Sequence, residues 1–285
     1  MRCMVSRSVL SSAALAALLS FGALEAHATD YPTAPPMPAP PGTQEDWYLT
    51  IGGSIRAVPE YPGSDDYTAS PKLIFNISKA SSLNAFRSVD DNPSIAFFDT
   101  GRFRIGAVGK LDLGRDQDDN AKLRGLGDVG TSVELGGFAE WYAFDWLRLR
   151  GELRYGFGGY EGLMGDLAAD FIIPYQSWRF AVGPRLSFAS SGYMQAYYGV
   201  TPLQAVSARF VGNPLPVYSA GGGVDAWGAT AQLTKNFGNG FEAGVYGSYY
   251  RLVGDASDSP LTQSSNQFIA GVSLSYTFNM GKSWW

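Results

Sequence analysis

The chain has 285 residues, with 21 Lys and Arg against 26 Asp and Glu, a net charge of −5. That acidic balance disfavours nucleic acid, whose binding depends on neutralising phosphates. Its one Cys (Cys3) and one His (His27) both lie in the first 28 residues; with that segment removed, a disulfide, a Cys/His zinc site and a histidine base are excluded.

Residues 1–28 read as a secretory signal peptide: Arg2 and Arg7 precede an apolar run from Val9 to Leu24, and Ala26-His27-Ala28 is a small-x-small cleavage site. Cys3 lies too far from that site to be a lipoprotein cysteine. Cleavage near Ala28 removes Arg2, Arg7 and Glu25, leaving 19 basic against 25 acidic residues, a net of −6. Residues 29–45 form a proline-rich tether; its stretch YPTAPPMPAPPG, Tyr31 to Gly42, favours polyproline II at roughly 3.1 Å per residue. Beyond Gly42 no apolar run is long enough for a membrane helix, and 46–285 reads as one domain.

From Asp46 the chain repeats one design, stretches of alternating polarity followed by turn residues. Twelve strands are predicted, at 46–57, 69–78, 82–88, 94–99, 102–114, 130–143, 146–158, 165–175, 178–190, 222–234, 241–252 and 267–278. The third and fourth carry the weakest pattern. Short links (79–81, 100–101, 144–145, 176–177, 235–240) alternate with longer ones (58–68, 89–93, 115–129, 159–164, 191–221, 253–266). A soluble sandwich has no reason to alternate in this way. A transmembrane antiparallel up-and-down β-barrel does, with short periplasmic turns and long extracellular loops.

The stretch WLRLRGELRYGF, Trp146 to Phe157, shows the two faces most clearly. Leu147, Leu149, Leu153 and Tyr155 alternate with Arg148, Arg150, Glu152 and Arg154, so the apolar set faces lipid and the charged set the lumen. Its hairpin partner turns Glu134 and Glu140 inward. Glu140 is expected opposite Arg148 or Arg150, Glu134 near Arg154, and Asp170 diagonal to Arg185 with Asp166 nearby. Such a network serves either as a structural filling of the lumen or as a charged pore lining. After the last strand, NMGKSWW extends past the aromatic-ended SLSYTF, and Trp284 and Trp285 are candidates for a periplasmic contact or an interfacial anchor.

Five segments lie in order between the strands: PEYPGSDDY (Pro59 to Tyr67), LRGLGD (Leu123 to Asp128), YYGVTPLQA (Tyr197 to Ala205), AGGG (Ala220 to Gly223) and LVGDASDSPL (Leu252 to Leu261). Together they resemble the MipA/OmpV family of outer-membrane proteins, the MltA-interacting proteins. The resemblance implies a barrel in a Gram-negative outer membrane, bordered by lipid and lipopolysaccharide. For some members it implies a scaffold between a lytic murein transglycosylase and a murein-synthesising penicillin-binding protein. Others are associated with envelope stress, adhesion or solute passage. Physically these segments are loop sequences, rich in Pro, Gly and Asp that set turns and cap amides.

The acidic runs RDQDDN and GDASDS, from Arg115 and Gly254, offer oxygens for Ca²⁺ but lack the Gly and terminal Glu of a calcium loop. No acid pair stands out as catalytic, so no enzyme and no cofactor are expected. Two readings remain: a scaffold for murein enzymes, or a small-solute channel.

Overall fold

The computed structural model describes residues 46–79 and 86–282. Among them, eleven strands close into one barrel: β1 (Trp47–Pro59), β2 (Tyr67–Lys79), β3 (Ser94–Asp99), β4 (Phe103–Asp112), β5 (Ser132–Phe144), β6 (Leu147–Gly158), β7 (Gly162–Tyr175), β8 (Trp178–Ala189), β9 (Gly223–Gly238), β10 (Phe241–Leu252) and β11 (Asn266–Gly281). Each strand pairs with its sequence neighbours, and β1 closes on β11 through a register that includes Ile51 opposite Tyr276. Closure satisfies the edge groups that lipid cannot.

The alternation is visible on most wall strands. Ile55, Leu135, Leu153, Ile173, Val245 and Leu274 point outward and are half exposed or more, as lipid-facing side chains must be. Aromatic residues gather at both rims. At the short-turn end Phe144 stacks on Trp146 at 5.0 Å, which in turn meets Phe171 at 6.1 Å. At the long-loop end Tyr155 meets Phe157 at 4.9 Å and Tyr249 meets Phe268 at 5.2 Å. Two aromatic belts around an apolar band are the profile of a membrane barrel.

The strand count corrects the expected twelve. Of the expected strand 82–88, residues 82–85 lie outside the described residues, and 86–88 are not in a strand. An odd barrel cannot alternate direction all the way round, so two neighbours must run the same way. Those are β2 and β3, parallel through Asn76–Ser94 and Ile77–Ile95. β3 enters the wall only at mid-height, where Ser94 faces Val108 of β4. Because β2 ends at the short-turn end and β3 begins halfway up, Phe86–Pro93 reaches the wall from inside the barrel. One link also differs: 159–161 between β6 and β7 is a short turn at the long-loop end, because β7 starts at Gly162 rather than 165.

The long loops fold into a cap. Helix α1 (Ser191–Tyr198) and helix α2 (Pro202–Phe210) lie between β8 and β9, and a single turn, α3 (Asp255–Asp258), follows β10. Pro202 occupies the first turn of α2, where its missing N–H costs nothing. Thr201 and Gln204 complete a capping box there. One apolar cluster joins Tyr193, Met194, Tyr197 and Tyr198 of α1 to Val129, Tyr160, Met164, Leu252 and Ala256. A second joins Tyr61, Leu123, Leu126, Val200, Ala208, Leu215 and Leu261. The expected signal peptide 1–28, the expected tether 29–45 and Trp284 and Trp285 lie outside the described residues.

Candidate functional site, a charged lumen closed by an inward segment

The ladder between β5 and β6 sets Glu140 directly opposite Arg150 and Tyr142 opposite Arg148. On the other side of β5, Arg104 of β4 faces Glu140. Three guanidinium groups therefore converge on one carboxylate. Arg104 Nη1 donates to Glu140 Oε1 at 2.9 Å; Arg148 Nη2 at 2.6 Å and Arg150 Nη1 at 3.0 Å donate to Oε2. Arg148 also donates to Asp170 Oδ2 at 2.8 Å, and Arg185 Nη2 to Asp170 Oδ1 at 2.6 Å. Higher in the lumen Arg154 donates to Glu134 at 2.8 Å, Glu152 at 2.6 Å and Asp166 at 2.7 Å, while Lys110 shares Glu134 at 2.9 Å. Arg150 Nε completes the chain by donating to Glu152 at 2.8 Å.

All eight residues singled out from the sequence, Glu134, Glu140, Arg148, Arg150, Glu152, Arg154, Asp170 and Arg185, thus belong to one connected network. It is dry: Arg148 and Glu134 are 0% exposed, Glu140 and Asp170 1%. Charges in a low-dielectric interior are tolerable only when each is paired and hydrogen-bonded, and here each of Glu134, Glu140, Glu152 and Asp170 meets at least two donors.

The sequence reading missed what fills the centre. Phe86–Pro93 touches the wall on nearly every side. Phe86 packs with Tyr142, Ile172 and Ala181. Arg87 donates to Thr50 and Ser78 at 2.6 and 3.1 Å. Lys72 donates to the Val89 carbonyl at 2.6 Å, Gln232 receives the Val89 N–H at 2.8 Å, and Asn92 donates to Glu152 at 2.8 Å. Asp90 accepts from Arg185 at 3.0 Å and Asp91 from Arg148 at 2.6 Å. The available signal was negative: SVDDNP has neither the period of two nor the length of a strand.

The five loop motifs meet in the cap. Tyr61, Leu123 with Leu126, Tyr197 with Val200, Ala220, and Leu252 with Leu261 each come from a different motif, and all lie in its two apolar clusters. Tyr197 donates to Asp112 Oδ1 at 2.7 Å, tying the cap to the top of β4. Burial, and then that carboxylate, hold the Tyr197 phenol well above its usual pKa, so it stays a donor. In the acidic run, Asp116 and Asp119 carboxylates accept backbone N–H groups at 2.8 and 3.0 Å. Among the described residues no group of three metal-ligating side chains is gathered.

A family profile described as MltA-interacting protein MipA matches residues 51–278. Outer membrane protein Omp26La of Vibrio anguillarum is 24% identical over 173 residues, 57% of this chain and 61% of that protein, so the match spans under two thirds of its length. Among solved structures, an outer-membrane channel from Pseudomonas putida F1 overlaps with TM-score 0.41 at 10% identity, covering 85% of this chain and 97% of its own. The NanC porin overlaps with TM-score 0.36 at 10% identity, covering 80% and 98%.

Proposed function

Because the chain belongs to the MltA-interacting protein MipA family and is an outer-membrane β-barrel, we propose that it serves as a non-enzymatic scaffold. On this reading it holds a lytic murein transglycosylase and a murein-synthesising penicillin-binding protein at the inner face of the membrane. The observation that supports a scaffold over a pore is the dry mid-lumen, where Arg148 is 0% and Glu140 1% exposed behind the Phe86–Pro93 segment. A pore lining must be wet to pass solute, and a filled barrel acts through its surfaces instead. Partners would meet the short periplasmic turns, the 29–45 tether and the chain end with Trp284 and Trp285. The interfacial alternative for those two tryptophans is anchoring in the bilayer headgroups.

The test is a pull-down from detergent extract with the folded barrel as bait. Recovery of a murein hydrolase or synthase is expected, weakening when residues 29–45 or the last four residues are removed. No murein enzyme recovered by a folded full-length bait would sink the scaffold reading.

A further inference from the structure

We propose that Lys72, Arg148, Arg150 and Arg185 form an anion-binding site in the lumen, occupied here by Asp90 and Asp91 of the chain's own inward segment. An anionic solute carrying two carboxylate or phosphate groups would take their place. This inference stands apart from the scaffold reading and rests only on the lumen.

The segment is a ligand in its geometry. Asp91 Oδ2 accepts from Arg148 Nη2 at 2.6 Å, and Asp91 Oδ1 lies 3.6 Å from Arg150 Nε. Asp90 Oδ2 accepts from Arg185 Nε at 3.0 Å. Lys72 reaches the Val89 carbonyl, and among the described residues it has no carboxylate within ion-pair distance. Two guanidinium groups, each donating one hydrogen bond to one of two adjacent carboxylates, with Arg150 and Lys72 close by, suit a dicarboxylate or a diphosphate.

The charge balance points the same way. Of the four wall cations that touch the segment, Arg148, Arg150 and Arg185 contact the wall carboxylates Glu140, Glu152 and Asp170, which Arg104 and Arg154 share; Lys72 contacts none of them. The segment itself carries Arg87 against Asp90 and Asp91. The segment, one negative charge in excess, lies beside Lys72 and supplies the counter-charge that the wall does not place within ion-pair distance of it. If the segment withdraws, Lys72 loses that counter-charge and a free anion can take its place.

Its attachment is also the kind that a solute can replace. Apart from Phe86, the contacts are hydrogen bonds and ion pairs, for which water and a free anion compete. The segment carboxylates are wetter than the wall carboxylates that share their arginines: the Asp90 and Asp91 side chains are 27% and 18% exposed, against 1% and 2% for Glu140 and Asp170. A tethered occupant lowers the apparent affinity of a free one in proportion to the time it spends bound.

Titration calorimetry of the purified full chain with inorganic pyrophosphate and with succinate tests this and separates phosphate from carboxylate preference. The double variant Asp90→Asn/Asp91→Asn removes the competing charge and should bind at least one of them about tenfold more tightly than wild type. Adding Arg148→Gln and Arg185→Gln should abolish the gain. Should the double variant not fold, Asn92→Cys in a chain that also carries Cys3→Ser gives a second readout, since the sequence holds only that one cysteine. Its labelling by a small maleimide should quicken about fivefold when the preferred anion displaces the segment. A folded double variant that binds neither anion more tightly than wild type would overturn the proposal. Where that variant does not fold, labelling that ignores both anions would overturn it.

Discussion

Glu140 is the residue on which the wall network turns, since Arg104, Arg148 and Arg150 all donate to it. Glu140→Gln leaves three buried cations short of their shared counter-ion, a loss that costs about 3–5 kcal/mol when well buried. Urea unfolding of the folded barrel in detergent should show a clearly lowered midpoint; an unchanged midpoint would mean that water reaches this network. Arg150→Glu should be at least as damaging, because it places like charges together beside Glu152. Leu149, next to it, points outward and is 37% exposed. Leu149→Arg should cost less than the about 2–4 kcal/mol of a midplane site, because Leu149 lies close to the short-turn rim, and less still in solution. At this scale the sequence was readable because a period of two assigns each side chain a face, and hairpin register then pairs the charges. Glu140 opposite Arg150 follows from that logic. Asp90 and Asp91 do not, because no period governs a segment whose partners are far away in the chain.

At the scale of elements, the cap explains why five loop motifs look alike in character. They are rich in Pro, Gly and Asp for local turning, and their apolar residues meet in two clusters. Gly125 shows the constraint. Its φ is +84°, and a Cβ there would stand 2.5 Å from Ala208 Cα in α2. Gly125→Val combines left-handed backbone strain of about 1–3 kcal/mol with a backbone clash, so α2 should lift from the 113–131 loop. Limited proteolysis should then cleave within 202–210 well before the wild type is cut, while heat-modifiable gel migration still reports a barrel. Equal protease resistance would show that α2 does not depend on this contact. Of the expected strand at 82–88, the described residues 86–88 lie against the lumen-facing side chains rather than in the wall. A short apolar stretch such as NAFRSV reads alike in either setting.

At the scale of the whole molecule, the alternating link lengths and the two-faced strands made the membrane barrel legible, while strand number was not. Parity is a global property: the parallel β2–β3 pair lets an eleven-stranded barrel close, and no local pattern announces it. The described segment Phe86–Pro93 that leads into β3 fills the lumen, and the cap packs over the long-loop end from Tyr61 to Leu261. A sealed barrel that works at its surfaces is the central claim. Single-channel recording of the purified, heat-modifiable full chain in planar bilayers tests it most directly. A sealed lumen should leave the current at baseline apart from rare brief openings; steady, large conductance from the wild-type barrel would contradict it and favour a solute channel.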